Sequence, residues 1–173
     1  MSMYQAVDEL ERMLQQLESE QAKLLELLSK QRLALRALDV KSLESLTEEL
    51  ERSRLRIAAT EPRRRMLALA AAQALRLPGA GEAVGLTRLA AAVLDQTRRH
   101  RLLGLRERLR RQAEAIERAR AVNGRLVSAL LGHLNTSVRL LVSAGSDAGT
   151  YTRSGTPRMT GAALHGGALE TVG

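Results

Sequence analysis

The 173-residue chain has no cysteine, no phenylalanine and no tryptophan, and its two tyrosines, Tyr4 and Tyr151, lie near opposite ends. Without cysteine there are no disulfides and no thiolate metal sites. Thick globular cores draw much of their buried area from large rings, so this composition points to a thin apolar seam between helices. Proline occurs only three times, which leaves room for long helices. No uninterrupted apolar run approaches the roughly 20 residues that span a bilayer. The opening stretch, MSMYQAVDELERMLQQ, turns acidic without an apolar signal-peptide core. A cytoplasmic location without a membrane span is the expectation.

Leu, Ala, Arg and Glu are abundant, which is the usage of long helices and coiled coils. The formal charge of +8 is unevenly spread. Residues 1–61 hold 9 basic and 12 acidic groups, whereas residues 62–142 hold 16 basic and 5 acidic groups. A basic block of this kind suits an acidic partner or nucleic acid. The plainer alternative is a set of solvated, arginine-rich helix faces.

Periodicity places the elements. Val7, Leu10, Leu14, Leu17, Gln21, Leu24, Leu28, Gln31, Leu35 and Leu38 step by three and four, which keeps them on one helical stripe. The two glutamines are polar positions that can fix register. A first helix is expected over about 2–37. Asp39 can cap a second helix by accepting from free amides of its first turn. Leu43, Leu46, Leu50 and Ile57 resume the stripe, and Met66, Leu67, Ala70, Ala74 and Leu75 continue it beyond Pro62. Pro62 predicts a kink, or a restart capped by Thr60, within a helix over about 40–76. So short a connection after residue 37 makes the two helices antiparallel.

LPGAGEAVG, from Leu77 to Gly85, is the clearest break. Its glycines do not fit a dinucleotide fingerprint and no strand precedes them. A third helix is expected over about 84–143. Its stripe slips phase through DQTRRHR and recovers at Leu102, Leu105, Leu109, Gln112, Ile116, Ala119, Asn123, Leu126, Leu130, His133, Ser137 and Leu141. Asn123-Gly124 is a favoured turn pair. Asn123 nevertheless falls in phase with the residues on both sides, so the helix should run through it. Gly124 and Gly132 are poor helix formers, each costing about 1 kcal/mol relative to Ala. They suggest either close helix packing or a face left for a foreign helix. Residues 144–173 are glycine-rich and weakly periodic, and read as a flexible tail. The fold class is therefore all-α: an antiparallel helical hairpin or coiled coil with a long third helix.

No catalytic constellation emerges. His100, His133 and His165 lack ligand partners at helical spacing, and no nucleophile elbow or phosphate loop occurs. No enzymatic activity, metal or cofactor is expected. Arg63–Arg65, Arg98, Arg99, Arg101, Arg106, Arg108, Arg110 and Arg111 could contact phosphates. The basic region carries no stacking rings and no recognisable helix-turn-helix or basic zipper, so nucleic acid is not the expected partner.

Several segments resemble the FlgN family of flagellar export chaperones. LALRALDVKSLESL is similar to the family's leucine-rich helix end, acidic-capped turn and second helix. TEPRRRML carries a Glu-x-x-Arg-x-x-Leu pattern in Glu61, Arg64 and Leu67. VNGRLVSALLGHLNTSVRLL resembles the family's Asn-x-x-Leu segment, and TYTRSG its Tyr-x-x-x-Gly sequence. The resemblance implies a chaperone for the hook-associated proteins FlgK and FlgL, holding their terminal segments and delivering them to the export gate. It also implies client binding at Asn123, Leu126, Val127, Leu130, Leu134 and Leu141, and docking to the gate through Tyr151 and Gly155. The alternative is a structural coiled-coil subunit of a secretion apparatus; a basic nucleic-acid-binding helical protein is a third reading.

Overall fold

The computed structural model describes residues 3–79 and 84–147, with side chains described over 5–79 and 84–144. It contains four helices: α1 (Met3–Ala37), α2 (Val40–Ala74), α3 (Leu86–Ala92) and α4 (Gln96–Asp147). The chain divides into two units, 1–128 and 129–173. The first holds α1, α2, α3 and α4 through Ser128; within the described residues, the second is the remainder of α4.

In the first unit, α1 is covered from two sides. Val7, Leu10, Met13 and Leu14 of α1 meet Leu67, Ala68, Ala71 and Ala72 of α2, Leu89 of α3, and Leu102, Leu105 and Leu109 of α4 in one buried cluster. A smaller cluster holds Leu24 and Leu28 of α1, Leu50 of α2 and Ile116 of α4. The pairing of early α1 with late α2 makes these two helices antiparallel. α1 and α4 instead run parallel: Arg98 pairs with Asp8 at 2.8 Å, Arg101 with Glu11 at 3.6 Å and Arg108 with Glu18 at 2.6 Å. Fully burying a leucine contributes about 2 kcal/mol, whereas a half-exposed ion pair adds less than about 1 kcal/mol. The leucines therefore hold the unit together and the ion pairs select its orientation. Three arginines of the basic stretch are thus the complement of acidic residues in the first half of α1.

The turn after α1 has a Schellman pattern. Asp39 N–H donates to Ala34 O at 3.0 Å and Leu38 N–H to Leu35 O at 3.4 Å, with Leu38 left-handed at φ 54°. The end of α2 repeats it: Leu77 N–H donates to Ala72 O and Arg76 N–H to Gln73 O, both at 3.0 Å, with Arg76 at φ 53°. Neither left-handed position carries the glycine or asparagine usual there. Asp39 caps α2 as expected, accepting from Ser42 N–H at 3.1 Å and from the Ser42 hydroxyl at 2.6 Å. The Ser42 hydroxyl, and then its amide, hold the Asp39 carboxyl below its ordinary range.

Pro62 neither ends nor restarts a helix; α2 runs through it. Thr60 is no cap, since its hydroxyl donates back to Ile57 O at 2.7 Å. Glu61, just before the proline, accepts from residues just after it: from Arg64 Nε and Nη2, each at 2.7 Å, and from Arg65 Nε at 2.9 Å. This clamp ties the turns on either side of a position that cannot donate a backbone hydrogen bond. Beyond it the buried face is Leu67, Ala68, Ala71 and Ala72, not the expected set with Met66, which is 62% exposed. Alanines let α1 and α3 approach α2 closely.

The expected single helix over 84–143 is two helices. α3 ends at Ala92 and α4 begins at Gln96, with Val93 extended at ψ 119°. Two polar groups stabilise the break. Asp95 Oδ1 accepts from Thr97 N–H at 2.8 Å and Arg98 N–H at 3.3 Å, capping α4. The Arg99 side chain donates to the last carbonyls of α3, to Ala90 O through Nε at 3.1 Å and to Ala91 O through Nη2. α4 then continues past the expected end at 143 to Asp147. The flexible-tail reading for 148–173 falls outside the described residues.

Two outcomes test these local arrangements. Leu38→Gly removes the cost of a left-handed branched residue and should stabilise the protein by about 1 kcal/mol, a rise in Tm of roughly 2–4 °C by calorimetry. The Arg64 hydrogen bonds, with help from Arg65, hold the Glu61 carboxyl down to about 2. A lowered carboxylate stabilises the fold above its ordinary range, and that contribution is lost as pH falls toward 2. Glu61 is 40% exposed on its side chain, so screening reduces the effect to about 1 kcal/mol. Urea titrations should show Glu61→Gln less stable than the parent at pH 7, with the gap closing between about pH 5 and 2.

Candidate partner-binding site

α4 carries all six residues expected to bind a client, and the structure separates them into two kinds. Asn123 is 5% exposed. Its Nδ2 donates to Leu28 O of α1 at 2.9 Å and to Gln31 Oε1 at 2.8 Å. The amide orientation follows from chemistry, because a backbone carbonyl can only accept. Asn123 therefore pins the register of α4 on α1, as a single buried asparagine does in a coiled coil. Its place in the stripe is occupied by intrachain contacts. Leu126 is half-buried, and Val127 is 39% exposed.

Within the second unit the same helix has a different surface. Leu130 is half-buried, while Leu131, Leu134, Val138, Leu141 and Val142 are each between 57 and 73% exposed. Leu131, Leu134, Val138 and Leu141 step by 3, 4 and 3, so they share one face. Leu134 and Leu141 belong to this face, and Leu131 and Val138 join them although the heptad count does not name them. The heptad positions His133 and Ser137 stand beside that face and are exposed. The underfilled end of the expected stripe is therefore a change of phase: the apolar residues move to neighbouring positions. Exposed contiguous apolar strips are common at interaction surfaces.

The expectation that Gly124 and Gly132 allow close backbone packing is not met within the chain. A Cβ at either position would have no atom within 4 Å. Part of α4 is also more apolar than the sequence reading allowed. It contains an 18-residue window of mean hydropathy 1.2, long and apolar enough by composition to cross a membrane, and none of that window is buried. The window mixes apolar and polar residues, so inspection for uninterrupted apolar runs passes over it. Among the described residues, no group of three or more His, Asp or Glu side chains is placed to hold a metal. Tyr151 and Gly155 lie outside the described residues.

Neither the curated proteins nor the solved structures include a match to this chain. A family model described as FlgN protein does match, over residues 1–158, a span that takes in all four helices and the whole exposed strip. The chain belongs to the FlgN family of flagellar export chaperones.

Proposed function

We propose that this protein is a cytoplasmic chaperone that binds the terminal segments of the hook-associated proteins FlgK and FlgL, prevents their premature association and delivers them to the export gate. The observation that carries this reading is the exposed strip of Leu131, Leu134, Val138 and Leu141 in a chain of the FlgN family. An amphipathic client helix that sets its own apolar residues at three- and four-residue spacing buries such a strip, the helix-in-groove mode of recognition. Leu126, Val127 and Leu130 extend the client face, and Asn123 serves it indirectly by fixing α4 on α1. The protein acts by binding and release, without catalysis or a cofactor. Tyr151 and Gly155 are assigned to contact with the gate, on the resemblance of TYTRSG to the family's sequence there.

Co-expression with the terminal region of FlgK or FlgL, followed by gel filtration, tests the client assignment. The parent chain should co-elute with the client as one stoichiometric species. Replacing Leu134 and Leu141 together by Asp should abolish co-elution while helical circular dichroism and Tm stay near the parent values, because both side chains are more than 60% exposed. A complex that survives the double substitution sinks the assignment. Tyr151→Ala should leave co-elution intact and reduce secretion of the client; loss of client binding instead would contradict the division of labour.

A further inference from the structure

We propose that the exposed strip of the second unit pairs with the same strip of a second copy of this chain, the two helices running antiparallel. Leu131, Leu134, Val138 and Leu141 step by 3, 4 and 3, an order that reads the same from either end. A two-fold axis at the level of residue 136 therefore sets Leu131 against Leu141 of the second copy, and Leu134 against its Val138. This is the self-complementary surface that a two-fold interface requires. Leu131, Leu134, Val138, Leu141 and Val142 together expose on the order of 600 Å² per copy, so pairing removes on the order of 1,200 Å² from water. That area reaches the lower end of specific protein interfaces.

The flanks of the strip favour a second copy over other occupants. In an antiparallel pair each flank meets itself across the axis. Asn135 stands on one flank and Ser137 on the other, each one residue from the axis and each exposed. Both side chains carry a donor and an acceptor, so either can face its own copy. The Ser137 hydroxyl donates to His133 O at 3.0 Å and its oxygen remains able to accept. A charged side chain in either place would face its own charge. Within residues 129–144 the only Lys, Arg, Asp or Glu is Arg139, which lies about 120° around the helix from the middle of the strip. A helix that rests on a lipid surface draws on a basic polar face, which this stretch lacks. As a statement about clients this rests on the chaperone reading: the second copy covers the strip while the chaperone is empty, and a client displaces it. The pairing itself is independent of that reading.

Sedimentation equilibrium of the full chain alone should show a monomer–dimer equilibrium with a Kd on the order of 10 µM. Ser137→Glu and Ser137→Lys should each weaken it about ten-fold, because like charges meet across the axis, and an equimolar mixture of the two should regain the parent's affinity. Position 137 is exposed, so helical circular dichroism should match the parent in both variants. The chain has no cysteine, so single substitutions report the direction of pairing. A short bismaleimide should join two Ser137→Cys chains and leave Ala144→Cys chains unjoined, since positions 144 lie roughly 24 Å apart along an antiparallel pair. Equal yields at the two positions overturn the antiparallel arrangement. A chain that stays monomeric at about 500 µM, or a dimer indifferent to both charges at position 137, overturns the pairing. A monomer that binds vesicles of phosphatidylcholine and phosphatidylglycerol assigns the strip to a lipid surface and also overturns it. These measurements contain no client, so failure of the pairing and failure of the client assignment are read separately.

Discussion

The shared burial of α1 is the constraint on which the first unit depends. One seam, running from Val7 to Leu28, is contacted by α2 in one direction and by α4 in the other. The chain has no Phe or Trp and packs α2 beyond Pro62 largely with alanines, so large side chains are few. Three-way contact compensates. Leu10, Leu14, Leu24 and Leu28 of α1 each share a buried cluster with residues of both α2 and α4, and α3 joins the larger cluster through Leu89 and Ala90. Polar groups then fix how the helices align. Asp8, Glu11 and Glu18 of α1 face Arg98, Arg101 and Arg108 of α4, and reversing α4 would set those arginines against the wrong end of α1. Asn123 adds a register pin that tolerates little sliding, since both its bonds are directional and the one to Leu28 O is buried.

Much of this was legible in the sequence. The α1 heptad predicts the buried face of that helix nearly residue by residue, because a strictly repeated spacing has one geometric solution. Asp39 declared itself as a cap by its position after the last periodic leucine. Asn123 kept phase with its neighbours and so could be read as part of a helix despite the Asn-Gly pair. What escaped was set by contacts distant in sequence or by signals of a single residue. The break between α3 and α4 depends on one capping aspartate, Asp95, and on Arg99 reaching back to the end of α3; the loss of phase through DQTRRHR was its only periodic trace. Leu38 and Arg76 stand where glycine is usual, so composition could not mark them as left-handed. The buried face of α2 keeps its three- and four-residue phase through Pro62, from Leu50, Ser53 and Ile57 to Leu67 and Ala71, and Met66 falls off it.

The candidate site was legible in part. Leu134 and Leu141 come from the resemblance and sit on the exposed strip. Leu131 and Val138 were visible as the 3-4-3 spacing between them, but a count anchored on Leu126, Leu130, His133 and Ser137 follows the neighbouring face. Two phases coexist in one helix: the first serves the seam of the first unit as far as the half-buried Leu126, and the second, within the second unit, opens onto water. Asn123 marks where the seam is last seen in a buried polar contact.

The order of the helices along the chain has a consequence for synthesis. α1 and α2 leave the ribosome first and can pair at once through their two-residue connection, yet the flank of α1 that α4 covers stays bare until Leu102 to Ile116 have been made. At translation rates of roughly 5–20 residues per second, that flank waits several seconds. During that interval the nascent hairpin presents an acidic, leucine-lined surface shaped for an arginine-rich helix, and the first such helix it meets in quantity is its own.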